Sequence, residues 1–417
     1  MKDKRINRIF NYVIVAVLLL IIVVLILIKL EVGKINKNRN SNSEDGEFSV
    51  AFIQKSHQML SSSNYMISPY SVEVALSMVR EGADGETLSD IEEIVPERKI
   101  KDLSIPGKIG IANALFIKNS RKKDVKSSFQ DTLVTKYQSE IIYDDFHTPK
   151  KINDWVYQKT NKMIPKVLEQ IDPDFVLGIT NAISMEEEWQ SPFECNDTYK
   201  DSFYLKSDQT KKVPMMFHSF EASASYYSDD ISEAVILPYK RYDYFGKESK
   251  DEEGEQLEFI GILPKDIDTY IDLLSLDVIS KIDQEKHMAS SDFMIHVSLP
   301  KFEFDYDFKQ FKRTLVNMGL SRMFDPDANL KRMSDSDLYI SEAIHKTYVK
   351  LDEKGTKAAA VTYFGVKDGI SEVEQKSISI VFDKPFIFMI KDTVSNEILF
   401  FGVVYEPNDW EDHSCKE

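Results

Sequence analysis

The sequence predicts an α+β domain carried behind a single apolar N-terminal helix. Three observations lead there. Amphipathic, helix-like patterns crowd the first half of the chain, short apolar or alternating strand patterns crowd the second, and an unbroken apolar run near the N-terminus stands apart from both.

The apolar run is Val13 to Ile28, extended by Phe10, Tyr12 and Leu30. A helix over residues 9–30 would be about 33 Å long, enough to cross the hydrocarbon core of a bilayer. Lys2, Lys4, Arg5 and Arg8 precede it, so residues 1–8 are expected to be a basic cytoplasmic tail and the rest of the chain to be exported. A cleaved signal peptide is the alternative. It calls for small residues after the run, where KLEVGKINK supplies bulky and charged ones. The expectation is therefore a signal-anchor over 9–30 and a single-pass membrane protein with an extracellular domain, with secretion after cleavage as the other route. Residues 31–47, rich in Asn, Ser and Lys, are expected to be a flexible tether.

Helices are predicted over Phe48–Ser61, from Ser68-Pro69 to Gly82, over Thr87–Ile94, over Lys151–Ile164 with Trp155 in the apolar stripe, and over Phe308–Met318. Strands are predicted at Phe203–Leu205, Ala234–Leu237, Phe259–Leu263, Phe293–Leu299, Ser377–Phe382, Phe386–Ile390 and Ile398–Val404. There is no fixed-period repeat and no shift of composition that marks a second domain. One domain over 48–408, followed by a polar tail over 409–417, is expected. Hydrophobic residues at 42% and charged residues at 29% of the 417 suit a globular chain with a large core.

Charge narrows the partners. The net charge is −17, and residues 1–47 hold 8 Lys/Arg and 5 Asp/Glu, so the remainder carries −20. Such a body repels a phosphate backbone, which disfavours nucleic acid and polyanions such as heparin. The two cysteines, Cys195 and Cys415, lie far apart and form no CxxC pair; two free thiols are expected and no structural zinc. Asn196-Asp197-Thr198 is a glycosylation sequon that matters only in a eukaryotic secretory route.

Nothing supports an enzyme. The chain lacks G-x-S-x-G, H-E-x-x-H, G-x-x-x-x-G-K-[ST] and G-x-G-x-x-G. Its seven histidines show no metal-ligand spacing. The acidic triplet Glu186–Glu188 is expected to be a solvated loop or helix end rather than a metal site. No cofactor is implied.

Function points to one segment. Asp352–Thr362 reads DEKGTKAAAVT and follows the alternating run Tyr348–Leu351. Gly355 is a flexible backbone position, and Thr356, Ala358, Ala359, Ala360 and Thr362 are all small. Small side chains at alternate positions let a segment slip between two existing strands, while Lys357 and Val361 fall on the other face. A plain surface loop with helical, Ala-rich character is the other reading of these residues taken alone.

This segment resembles the reactive-loop hinge of serpins, typically D-E-x-G-T-x-A-A-A-x-T. Leu299–Phe302 (LPKF), Leu315–Phe324 (LVNMGLSRMF), His345-Lys346, Asp383–Ile390 (DKPFIFMI) and Ile398–Pro407 (ILFFGVVYEP) resemble further blocks of that family. So do Asn64–Gly85, Asn181–Ile183 with Trp189–Phe193 (WQSPF), Val213–Met216 and Leu237–Lys240. The blocks share their order from Phe48 to Pro407.

The resemblance implies a single-domain fold of three β-sheets and about nine helices with an exposed reactive loop. It implies no catalysis of its own: the loop is bait for a serine protease, or a cysteine protease, and after cleavage it inserts into the central sheet. Glu353, Gly355, Thr356, Ala358, Ala359, Ala360 and Thr362 would form the hinge. Thr356, Ala358, Ala360 and Thr362 would face the core, and none is charged, bulky or Pro. Ser68, Ser71, Asn181 and His345 match a polar cluster beneath the opening sheet, and Trp189 matches the residue where the loop first enters.

Sixteen residues on from Glu353 falls Gly369, so the scissile bond would be Gly369–Ile370, which favours an elastase- or subtilisin-like target. Lys367 would imply a trypsin-like target, and Glu372 or Glu374 a glutamyl endopeptidase. Ser184–Glu188 (SMEEE) departs from the aromatic pair and Gly that the family often has, removing a packing contact at the top of the sheet. A monomer is expected. A non-inhibitory serpin-fold binding or scaffold protein is the alternative function.

Overall fold

The computed structural model describes residues 46–60, 63–95, 97, 101–105, 108–242, 247–249, 256–341, 343–356 and 376–411. Residues 9–30 lie outside these, as do Ala358, Ala359, Ala360, Thr362, Gly369 and Ile370. Among the described residues no helix is long and apolar enough to cross a membrane.

In chain order the first elements are α1 (Glu47–Leu60), β1 (Tyr65–Ile67), α2 (Pro69–Gly82), α3 (Gly85–Ile94), β2 (Ile109–Lys118), α4 (Ser127–Tyr137), β3 (Glu140–Asp144), α5 (Lys150–Lys159), β4 (Leu177–Met185) and β5 (Glu187–Glu188). There follow β6 (Tyr199–Tyr204), β7 (Thr210–Phe220), β8 (Ser225–Ser228), β9 (Ser232–Pro238), β10 (Leu257–Pro264), α6 (Ile267–Asp272), α7 (Leu276–Glu285), β11 (His287–Met288), β12 (Phe293–Pro300) and β13 (Phe302–Asp307). The last are α8 (Phe311–Asn317), β14 (Lys346–Asp352), β15 (Gly355–Thr356), β16 (Lys376–Val381), β17 (Phe386–Asp392) and β18 (Ile398–Val404).

Local chemistry accounts for the helix that matters most to the site. Ser68 has an extended backbone and its side chain accepts the N–H of Ser71, while Pro69 takes the first helical position, where no N–H is needed. The helix α2 therefore starts where Ser-Pro predicts and runs to Gly82. It buries Tyr70, Val72, Val74, Leu76 and Met78. By contrast α5 stops at Lys159, short of the predicted Ile164, because Asn161 and Lys162 have φ of 48° and 65°, outside the helical range. The helix α8 likewise begins three residues later than Phe308.

The first half is less helical than its pattern predicts. Ile109–Ile117 of β2 pairs antiparallel with Met185–Leu177 of β4, and β2 pairs parallel with β3. A seven-stranded sheet runs in the order β1-β18-β17-β10-β9-β8-β11, and its strands β10, β17 and β18 are buried along their whole lengths. A second sheet runs β16-β12-β7-β6, a third β13-β14-β15-β5, and a fourth β3-β2-β4. Eight α-helices and four hydrogen-bonded sheets are thus present among the described residues, where about nine helices and three sheets are implied by the resemblance.

The extra sheet has a physical cause. Strands β4 and β5 follow each other along the chain, separated by Glu186 alone, so the third and fourth sheets touch through this one strand path. Below it they part: β4 pairs with β2, and β14 pairs with β13 and, at its end, with β15. No ladder joins β4 to β14 among the described residues. There each of the two strands keeps one edge without a ladder partner among the described residues, and a slot is left between those edges. A small apolar cluster of Phe116, Phe146, Ile152, Trp155 and Val156 packs α5 against β2 and β4 beside this slot.

Cys195 is disulfide-bonded rather than a free thiol; the chain's other cysteine, Cys415, lies outside the described residues. The acidic triplet is not a solvated loop either. Glu187 and Glu188 form β5, and pairing with β15 turns the Glu187 side chain inward, to 1% exposure.

Candidate functional site

The site is built around the turn that ends β14. Leu351 and Asp352 pair with Thr356 and Gly355, so the chain folds back on itself and the hinge lies as a two-residue strand between β14 and β5. Gly355 makes this possible. Its φ is +150°, and a Cβ there would sit 2.1 Å from the carbonyl oxygen of Glu187. Thr356 is buried, and its hydroxyl lies 2.7 Å from that of Tyr239.

Trp189 fastens the same turn. Its indole N–H donates to the Asp352 carbonyl at 3.1 Å and its backbone N–H to the Lys354 carbonyl at 2.8 Å. The indole stacks on the Tyr239 ring, with centroids 4.6 Å apart, and meets Phe259 edge-on. The Phe193 N–H donates to the Glu353 carbonyl. Glu353 itself is buried, held by the Lys301 ammonium at 2.9 Å and the Thr198 hydroxyl at 2.8 Å. Burial alone pushes the Glu353 carboxyl up, but Lys301 and Thr198 outweigh it and hold it below the usual carboxylate range.

The polar cluster lies deeper, at the N-terminus of α2. The Ser68 N–H donates to His345 Nε2 at 3.0 Å. Burial lowers the His345 imidazole to about 4, so it is neutral and keeps its proton on Nδ1. The Ser71 hydroxyl donates to Asn181 Oδ1 of β4. Asn181 Nδ2 in turn donates to Asn113 Oδ1 of β2 at 2.8 Å, and Asn113 Nδ2 to the Tyr137 carbonyl at 2.7 Å. One arm therefore ties α2 to the segment before β14 and the other ties it to β4, with the slot between them. A cavity of about 560 Å³ opens there, lined among others by Ser71, Asn181, Ile183, Phe311 and His345.

A family model described as serpin (serine protease inhibitor) matches residues 43–407. The chain belongs to the serpin family. The leukocyte elastase inhibitor of Xenopus tropicalis is 29% identical over 389 residues, covering 86% of this chain and 97% of that protein. Serpin-ZX of Hordeum vulgare is 29% identical over 386 residues, covering 86% and 94%. Among solved structures, the thermophilic serpin tengpin in its native state matches with a TM-score of 0.73 at 28% identity, covering 88% of this chain and 94% of that one. Thyroxine-binding globulin in complex with thyroxine has a TM-score of 0.72 at 21% identity over 89% of this serpin and all of that chain, a likeness of fold alone.

Of the residues singled out from sequence, Ser68, Ser71, Asn181 and His345 come together at the base of the slot, and Glu353, Gly355, Thr356 and Trp189 at its top. Ala358 to Thr362 and the bond at Gly369–Ile370 lie outside the described residues. Sequence reasoning assigned no role to Tyr239, Thr198, Lys301, Asn113 or Glu187. Tyr239 and Lys301 sit within matched blocks. Asn113, a lone amide in the apolar stretch IGIANALF, carried a readable signal. Thr198 carried none.

Proposed function

We propose that this serpin inhibits serine-type endopeptidases, with cysteine-type enzymes as a further class, by acting as a suicide substrate. A target's nucleophile attacks the Gly369 carbonyl, an acyl-enzyme forms on Gly369, and Ile370 becomes a new amino terminus. The freed end of the loop then enters the slot as a strand, carrying the protease with it before water can release it. Strand addition of this kind satisfies the open backbone edges of β4 and β14; reactive-loop insertion in serpins is itself a standard example of it.

The observation that carries the proposal is the hinge. Gly355 and Thr356 already pair as a strand above the slot, where no ladder joins β4 to β14 among the described residues. Continued at the same register, residue 358 would fall opposite Met185 and Val349, residue 360 opposite Ile183 and Thr347, and residue 362 opposite Asn181 and His345. The small side chains of Ala358, Ala360 and Thr362 suit these inward positions. Relatives named leukocyte elastase inhibitor support an inhibitory role and an elastase-like target.

The apolar run over residues 9–30, preceded by Lys2, Lys4, Arg5 and Arg8, supports an uncleaved anchor with the serpin domain outside the cell. Extraction by detergent but not by alkaline carbonate, with an intact N-terminus on sequencing, is the expected result for that part.

The test of inhibition uses the full-length chain with elastase-, subtilisin-, trypsin- and glutamyl-type proteases, resolved on reducing, denaturing gels. A covalent complex is expected, together with a released peptide whose mass begins at Ile370. Loop cleavage without a complex from every class would leave the non-inhibitory reading in its place.

A further inference from the structure

The strand that receives the hinge carries an acid in an unusual position. Glu187 lies directly across the ladder from Thr356, 1% exposed, and among the described residues neither carboxyl oxygen has a hydrogen-bond partner. A carboxylic acid tolerates such a place far better than a carboxylate, which needs several donors or a cation once water is removed.

Among the described residues, the charged groups around this corner are already engaged. Lys108 is paired with Glu188 at 3.3 Å and lies over the Tyr242 ring. Lys240 is paired with Glu188 at 2.9 Å and with Glu248. Across the hinge, Lys301 is committed to Glu353, and Asp352 brings a further acid rather than a cation. Tyr239 directs its hydroxyl to Thr356. The ladder between β5 and β15 is also short, two residue pairs, so the hinge can part from β5 while the turn before it stays fastened by Trp189 and Phe193.

We propose that the Glu187 carboxyl is a proton-operated latch on the hinge: as the acid it leaves Gly355-Thr356 seated between β14 and β5, and as the carboxylate it drives them out toward water. This rests on the hinge reading given above but not on which protease is inhibited. Burial pushes the Glu187 carboxyl up to about 8, with Lys108 pulling it down and Glu188 adding to the rise. The seated state therefore binds one proton more than the released state between the ordinary value of 4.5 and about 8. Across that window the released-to-seated ratio rises by up to about tenfold per pH unit, and it is flat outside it.

The experiment is hydrogen exchange with mass spectrometry on the full-length protein at pH 5.5, 7 and 8.5, following peptides that span the Gly355 and Thr356 amides. Rates are normalised to the same peptides in unfolded protein, so that intrinsic base catalysis drops out. Wild type is expected to lose protection as pH rises, and Glu187→Gln to keep its protection at all three values. Equal protection of wild type at every pH overturns the latch, even if Glu187→Gln fails to fold. The same pH dependence in wild type and Glu187→Gln overturns it too, assigning the effect to another group. A pH-dependent hinge in a chain that forms no complex with any protease would uphold the latch and remove the inhibitor reading alone.

Discussion

The hydroxyl oxygens of Tyr239 and Thr356 lie 2.7 Å apart beneath the stacked indole of Trp189, so the first inward residue of the hinge is bonded to a tyrosine from β9's end before any loop cleavage. Tyr239→Phe keeps the stack and removes the bond, leaving the Thr356 hydroxyl buried alone. A loss of about 1–2 kcal/mol in hinge seating is expected. Faster amide exchange at Thr356, with the global melting temperature little changed, is the signature to look for.

Gly355→Ala should do more. The new Cβ meets the Glu187 carbonyl at a distance no neighbour can relieve, and φ of +150° is unfavourable for alanine. The hinge must leave the sheet, at a cost of about 2 kcal/mol or more. Exchange protection at both hinge amides should vanish, while the exchange of β17 and β18 stays as in wild type.

Lys301→Met strips Glu353 of its cation inside a buried turn, while the Thr198 hydroxyl stays in place as a neutral donor. The expected loss is about 2–4 kcal/mol at neutral pH. The sign with pH follows from the lowered Glu353 carboxyl: its contribution is present above the ordinary 4.5 and is lost as acid protonates the folded state. Denaturant titrations of wild type and variant should converge at low pH.

His345 acts in the opposite pH direction to Glu187. Its imidazole falls from 6.5 to about 4 on folding, so the unfolded chain binds the extra proton between those values and stability is lost as pH falls through that window. The loss at pH 5 is about 2 kcal/mol. Over pH 4.5 to 6.5 this offsets the Glu187 term, so wild type should appear nearly flat with respect to these two groups. His345→Gln should uncover a decline with rising pH, and Glu187→Gln a decline with falling pH. Equal slopes in all three proteins would contradict both assignments.

The sequence made some of this legible and hid the rest for physical reasons. Local signals were reliable where the chemistry is local: Ser68-Pro69 starts α2, and the alternating Tyr348–Leu351 lies within β14. The positive φ at Asn161 and Lys162 left no mark that pattern could separate from a continuing helix. Strands β2 and β4 escaped because each depends on a partner far away in sequence. The inward turn of Glu187 was invisible for the same reason, since its face is set by pairing with Thr356. The polar cluster was readable through family resemblance and the lone amide of Asn113 signalled a buried partner, but the link on to the Tyr137 carbonyl depends on tertiary packing that no local pattern encodes.

The most direct test of the central claim, that the slot between β4 and β14 receives the loop as a strand, is a melting experiment before and after a single cut within residues 357–375 by a protease that is not trapped. Insertion predicts a clear rise in melting temperature and new exchange protection along β4 and β14, both abolished in Thr362→Arg. An unchanged melting temperature, with β4 and β14 exchanging as before, would contradict it.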